Sequence, residues 1–450
     1  MNTQSLYEKA PYWIQNMAVN VMGYTIKKRR YGKDFHTELS RFENGFYNQE
    51  NELKDFLLAI KNTKAYQNLL TPDVLEMIQK GTCNIYDIIS KFPILDKNIV
   101  RENLNDFINT DYKGRAISAR TSGTTGGGLI FPYPVSLENK QWAVYWKYRR
   151  IWGIQLDTWC GWFGGKRMIN PLDKKPPYWR INHPGRQIMY SSYHLTKETV
   201  HLYYNDIKKR NLLWLHGYPS HIAKLSALIV NNGLAPLGDV RWVTTGAENL
   251  LGNQLLLIKK AFPNAMIRQH YGLGEGVAIM NQNYNGDWEL ANDFSYVEFV
   301  PVNKDNSAIC HIIGTGFCNQ AFPLVRYDTG DIATVERDEN GGIIRIVSID
   351  GRSSNMIKQP SGHEVSEAAL SIVLHDFDNI VEAQVHQTAV DTIVLWVVKG
   401  KHYCIEDELN LKKALRSAFD EDMKIDIKYV TEVERTSAGK MRLVIRDFEQ

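Results

Sequence analysis

Thr121-Ser122-Gly123-Thr124-Thr125-Gly126-Gly127-Gly128 is a run built only of hydroxyl side chains and glycines. Glycine tolerates dihedrals that other residues avoid and lets a ligand approach the backbone, so such a loop can turn N–H and hydroxyl groups onto phosphate oxygens. Gly123 and Gly128 fit the frame of a Walker loop, yet Leu129 stands where that loop has its lysine. No helical pattern follows directly, so the run is not that of a P-loop NTPase. Ala116–Ala119 on one side and Leu129–Phe131 on the other have the short apolar or alternating pattern of strands. The reading is strand, loop, strand, with phosphate binding favoured over a plain glycine-rich hairpin.

The flanks fill in the fold. Residues 36–110 read mostly as helices, for example Glu52 to Lys61 and Asp73 to Lys80. Beyond the loop, strand-like Leu212 to Leu215, Val240 to Thr244 and Ala265 to Gln269 alternate with helical Ser220 to Asn231 and Asn249 to Ala261. That alternation indicates an α/β domain with a largely parallel sheet. The rhythm changes near Asp350-Gly351. The remainder predicts a helix at Ser366 to His375, strands at Val381 to His386 and Thr392 to Lys399, a helix at Glu406 to Phe419 and a strand at Ile425 to Val430. The expected organisation is a large domain over 1–350 and a small α+β domain over 351–450.

The 450 residues carry 53 Lys+Arg against 50 Asp+Glu, a formal charge of +3, which argues against a polyanion binder, and no nucleic-acid partner is expected. Five dispersed cysteines suit neither a disulfide framework nor a zinc site, and fit a reducing cytoplasm. No run approaches the roughly 18 apolar residues of a spanning helix, and Met1 to Leu6 lack the parts of a signal peptide. Trp13, Ile14, Met17, Ala18, Val21 and Met22 recur at helical spacing, followed by Lys27, Lys28, Arg29, Arg30 and Lys33. The commoner fate of such a stripe is packing on its own domain. Peripheral membrane contact through residues 13–33 stays open as the second reading.

Three further stretches carry chemistry. Tyr271-Gly272-Leu273-Gly274-Glu275-Gly276 places an aromatic ring and a carboxylate four residues apart on a glycine-rich turn, suited to stacking on a base and reaching a divalent ion. Tyr327-Asp328-Thr329-Gly330-Asp331 offers a carboxylate able to accept from two neighbouring ribose hydroxyls. Arg435-Thr436-Ser437-Ala438-Gly439-Lys440 puts a lysine on a loop near the end of the small domain. Each alone also suits an ordinary turn.

Taken in order, TSGTTGG, GAE, YGxxE, YxTGD, GR and RTxxGK resemble the adenylate-forming superfamily of acyl-CoA synthetases, peptide-synthetase adenylation domains and luciferases. The resemblance runs from about Arg115 to Arg442. Leu215-His216-Gly217-Tyr218-Pro219-Ser220 and Thr244-Thr245-Gly246-Ala247-Glu248 point to its phenylacetate–CoA ligase branch, in particular to relatives of capsule and surface-polysaccharide biosynthesis. It implies a large N-terminal domain with mixed, largely parallel sheets and a small mobile C-terminal domain. Residue by residue, Thr121, Ser122, Gly123, Thr124, Thr125 and Gly126 would embrace the ATP phosphates. Gly246, Ala247 and Glu248 would line the adenine side, with Tyr271 and Gly272 against the base. Glu275 would be the magnesium ligand, and Asp331 would bind the ribose, assisted by Arg352. Lys440 would reach the substrate carboxylate and the α-phosphate, with a hinge at Ser353 and Ser354. Gly274 departs from the family, where a hydroxyl residue usually precedes the glutamate.

The implied activity is ATP- and Mg²⁺-dependent activation of a small carboxylic acid as an acyl-adenylate, then transfer to the thiol of coenzyme A or of the phosphopantetheine arm of an acyl carrier protein. Alternatives are transfer to an amine such as an amino sugar, or a catalytically silent nucleotide-binding scaffold at a membrane. The acid pocket is expected near Trp159 to Lys166, His216 and Gly246. Trp159, Trp162, Phe163 and Tyr218 suit an apolar acyl group, whereas Lys166, Arg167 and Arg180 suit a second anionic group. The oligomeric state does not follow from the sequence.

Overall fold

A computed structural model describes residues 3–121, 128–303, 306–377, 379–436 and 439–448. The chain divides into two compact units, one comprising 1–25, 154–269 and 350–450, the other 26–153 and 270–349.

In the first unit the strands Cys160–Phe163, Gln187–Tyr190, Trp214–Gly217 and Trp242–Gly246 run parallel, and Trp179–Asn182 closes the edge antiparallel to Gln187–Tyr190. Nearly all of their residues are buried, which fits strands covered on both faces. Helices Pro219–Asn231 and Gly252–Ala261 alternate with them as the sequence predicts, and a further helix, Val200–Lys209, precedes them. The core includes Phe163, Tyr190, Leu215, Ile222, Val243 and Phe262. Spatially, Cys160–Phe163 has Gln187–Tyr190 on one side and Trp214–Gly217 then Trp242–Gly246 on the other. The direction of winding therefore reverses between Cys160–Phe163 and Trp214–Gly217, and the carboxyl ends of such strands diverge into a crevice.

The last hundred residues form a four-stranded sheet in the order Lys424–Tyr429, Thr392–Lys399, Ile380–Ala389, Val444–Arg446, covered by Glu367–Val373 and Ile405–Ala418. The expected helices and strands are all present, with ends shifted by a few residues. Val381 packs on Ala227 and Leu257, which seats this sheet on helices Pro219–Asn231 and Gly252–Ala261.

The helix Tyr12–Arg30 departs from expectation. It docks, but not through its apolar stripe. Its buried residues are Gln15, Val19 and Gly23. Asn16 Oδ1 accepts the N–H of Ile181, while Asn20 donates to the Ile181 carbonyl and accepts from His183 N–H. These amides satisfy the open side of the edge strand Trp179–Asn182, whose backbone groups need partners. Backbone satisfaction, which a stripe count does not register, sets which face turns inward.

In the second unit the strands Ala116–Arg120 and Ile130–Pro134 pair antiparallel, from Ala116 opposite Pro134 to Arg120 opposite Ile130, so the glycine-rich run joins a hairpin. Helix Val135–Ile151 follows, and its buried Glu138 receives Arg29 and Arg30. An antiparallel sheet holds, in order, Tyr296–Asn303, Asn306–Thr315, Tyr327–Arg337, Ile343–Arg352, Trp288–Leu290 and Ile279–Gln282. Among the described residues no helix is long and apolar enough to cross a membrane.

Candidate active site

The second unit holds Thr121, Tyr271, Gly272, Glu275 and Asp331. Thr121 directly follows the first hairpin strand, and its buried hydroxyl accepts the N–H of Leu129 at 2.9 Å. Ser122, Gly123, Thr124, Thr125 and Gly126 lie outside the described residues. A Cβ added at Gly274 would lie 3.9 Å from Thr121 Cγ2, so the YGLGEG turn packs beside the loop's base. That turn follows the strand Met266–Gly272 and is tight. Gly276 has φ of +72°, and a Cβ on Gly272 would sit 2.3 Å from the Tyr145 hydroxyl. Glu275 is consequently held at only 7% exposure.

Asp331 is aimed by an irregularity in its strand. His311 faces Ile332 and Ile313 faces Asp328, so Thr329, Gly330 and Asp331 together oppose Ile312. Extra residues on one strand bend it and re-aim a side chain. Thr329 fixes the distortion by donating its hydroxyl to the Ile312 carbonyl, Gly330 takes φ of +71°, and Thr329 Oγ1 accepts the Asp331 N–H. The Asp331 carboxylate, 7% exposed, accepts the Tyr271 hydroxyl at 2.8 Å. Thr121, Glu275, Tyr271 and Asp331 are thus linked through one glycine-rich turn.

The first unit holds the lysine. Gly439 has φ of +78°, and a Cβ there would meet Gly165 Cα at 3.4 Å, which seats the loop on the segment that leaves strand Cys160–Phe163. Lys440 Nζ lies 5.8 Å from the centroid of the Tyr218 ring, at the end of strand Trp214–Gly217. The lysine loop therefore occupies the crevice where the winding reverses. Burial raises the Tyr218 hydroxyl's pKa. Behind it, His216 Nδ1 lies 2.9 Å from Thr244 Oγ1, and its strand neighbour across the crevice is Trp162.

Several groups hold the loop there. Ala247 takes the left-handed φ of +68°, turning Glu248 so that one oxygen accepts Met441 N–H and the other Ser220 N–H. Burial raises the Glu248 pKa. Arg435 donates to Ser220 Oγ and the Gly439 carbonyl, and pairs with the buried Glu382. His221 Nε2 lies 3.1 Å from the Gly439 carbonyl and Nδ1 3.1 Å from that of Phe163. Burial, and then the Arg435 charge, push its pKa down to about 3, so near pH 7 the neutral ring donates its single N–H to one of these two carbonyls.

Residues 357–447 match the family described as the CapK C-terminal domain. The whole chain is similar to Protein CapK of Staphylococcus aureus, 25% identical over 99% of both chains. Among solved structures, 2-hydroxyisobutyryl-CoA ligase in the postadenylation state with 2-HIB-AMP aligns over 89% of each chain at 14% identity, with a TM-score of 0.64. The anthranilate CoA ligase AuaEII with anthranoyl-AMP aligns over 73% of this chain and 66% of its own, at 13% identity and a TM-score of 0.50. The chain has the fold of the adenylate-forming acid–CoA ligases.

On that adenylate-forming fold the sequence-derived residues fall into two groups. Thr121, Tyr271, Gly272, Glu275 and Asp331 come together in one unit, whereas Gly246, Ala247, Glu248, Arg352 and Lys440 belong to the other. Ser353 opens a short 3-10 turn, Ser353–Asn355, just after Gly351, whose φ is +92°. Asn355 and Asn249 both donate to Glu367, which bounds the chain where Ser353 and Ser354 were expected to hinge. Of the cationic alternatives for the acid pocket, Arg167 pairs with Glu8, buried Arg180 donates to Gln15, and Lys166 lies beside Met22. Sequence reasoning missed Arg435, Ser220, His221 and Glu382 as the seat of the lysine loop. Arg435 lies five residues before Lys440, and that fixed spacing was the available signal.

Proposed function

We propose that this protein activates a small carboxylic acid with ATP, forming an acyl-adenylate and releasing pyrophosphate, and then passes the acyl group to a thiol. The thiol belongs to coenzyme A or to the phosphopantetheine arm of a carrier protein, and the setting is surface-polysaccharide assembly. The observation that carries the reading is Lys440 placed over Tyr218 at the divergent carboxyl ends of the parallel strands. Within the other unit, Thr121, Glu275, Tyr271 and Asp331, linked through one turn, are read as the nucleotide contacts.

In the first half-reaction a carboxylate oxygen bonds to the α-phosphorus as the bond to pyrophosphate breaks. Two anions must approach, so the barrier falls when fixed positive charge lies beside them. Lys440 supplies that charge. Asp331 accepts the ribose hydroxyls, with its rotamer held by Tyr271, whose ring faces the base, and Arg352 assists. Gly246, Ala247 and Glu248 form the adenine side in this reading, and Thr121 anchors the loop whose backbone and hydroxyls hold the phosphates.

Among the described residues no group of three or more His, Cys, Asp or Glu side chains is gathered for a metal. The buried Glu275 carboxylate suits Mg²⁺, which takes one or two carboxylates and completes its shell with phosphates and water. When bound, the ion offsets charge on the phosphates. In the second half-reaction a thiolate attacks the acyl carbon and AMP leaves. The small domain, 351–450, rearranges about Ser353 and Ser354 between the two steps.

The test is pyrophosphate release across fatty, aryl, amino and sugar-linked acids, followed by AMP release with coenzyme A or an amino sugar as acceptor. Acid-dependent pyrophosphate release with a thiol-dependent second step is expected. ATP binding with no turnover on any acid would favour a silent scaffold, and a preference for the amine would move the acceptor.

A further inference from the structure

The docking of helix Tyr12–Arg30 through its polar face leaves its apolar side outward. Trp13, Met17, Val21 and Tyr24 are 65%, 57%, 64% and 66% exposed and lie on one side of the helix at spacings of three, four and seven residues. The orientation is pinned from behind, since Asn16 and Asn20 are bonded to the edge strand and a Cβ on Gly23 would lie 2.1 Å from Asn182 Oδ1. Turning the stripe inward would break those bonds.

The charge of the same helix has one sign. It contains no Asp or Glu, and its last turn is Lys27, Lys28, Arg29 and Arg30. Arg29 and Arg30 are drawn onto Glu138, while Lys27 and Lys28 are exposed next to Tyr24. The Lys166 ammonium adds a further cation beside exposed Met22, 3.0 Å from its sulfur. Trp and Tyr prefer the headgroup level, aliphatic side chains enter the acyl boundary, and lysines are attracted by anionic headgroups.

We propose that this outward face is a docking surface for an anionic lipid bilayer, on which the helix lies in the plane of the interface. The inference does not rest on the proposed ligase activity.

The full chain is tested by co-sedimentation with vesicles of phosphatidylcholine alone or mixed with phosphatidylglycerol. Pelleting with the mixed vesicles is expected, at least about tenfold stronger than with neutral ones and weakened by salt. Met17→Asp with Val21→Asp, both exposed, lowers binding by about tenfold or more at an unchanged melting temperature. Lys27→Glu with Lys28→Glu removes the preference for the anionic lipid. No pelleting with mixed vesicles, equal pelleting with both compositions, or binding indifferent to the aspartates would overturn the proposal. So would a vesicle-independent dimer that the aspartates dissociate, because the stripe would then cover a second copy of the chain.

Discussion

The Glu248 carboxylate accepts the main-chain N–H of Met441 at 2.7 Å, one residue beyond Lys440, and that of Ser220 at 3.2 Å. One side chain thereby joins the lysine loop to the helix that begins at the crevice. Glu248→Gln keeps the shape but turns an N–H₂ group toward one of two N–H donors, so one bond is lost. Adenylate formation should slow by roughly five- to 150-fold, from a loss of about 1–3 kcal/mol. Transfer from supplied acyl-adenylate should change little. Pyrophosphate exchange and thioester formation, measured separately, check this.

Lys440→Ala should abolish adenylate formation yet leave thioester formation from synthetic acyl-adenylate largely intact, because the charge it provides is needed only while pyrophosphate departs. Equal loss in both half-reactions would refute that division of labour.

Asp331→Ala should weaken ATP binding by about 1–3 kcal/mol, as the ribose hydroxyls lose a charged acceptor. Tyr271→Phe retains the ring and removes the bond that orients Asp331, so a smaller loss, about 0.5–1.5 kcal/mol, is expected. Calorimetric titration with a non-hydrolysable ATP analogue distinguishes the two, and unchanged affinity in both would remove the ribose role.

His221 predicts a pH dependence of stability. Its folded pKa is about 3 against an ordinary 6.5, so between those values the unfolded chain binds the extra proton. Stability from this group is present above about pH 6.5 and is lost as pH falls, at up to about 1.4 kcal/mol per pH unit. His221→Gln should melt with a shallower acid slope between those limits. Identical slopes for the two proteins in thermal melts would show that the buried imidazole does not govern this range.

Much of the architecture could be read locally. Strands of Val, Ile, Leu and Trp alternating with helical periods announce a parallel sheet, and Thr392–Lys399 is found at its expected bounds. Glycine-rich signatures likewise marked Tyr271, Glu275, Asp331 and Lys440, because tight turns and close approaches restrict which residues can stand there. The inward face of helix Tyr12–Arg30 was not legible in this way. Its stripe has helical spacing, but the partner that decides its orientation is an edge strand more than 150 residues away.

The sequence by itself determined the classes of secondary structure, the order of the motifs and the chemical types available to a nucleotide and an acid, since those depend on neighbours along the chain. Only the tertiary structure decided that Glu248, Arg435 and His221 seat the lysine loop, that a bulge aims Asp331 at Tyr271, and that Trp13, Met17 and Val21 face outward. Each of these is settled by hydrogen-bonding groups brought together from distant positions, and no local pattern records which buried donor will meet which acceptor.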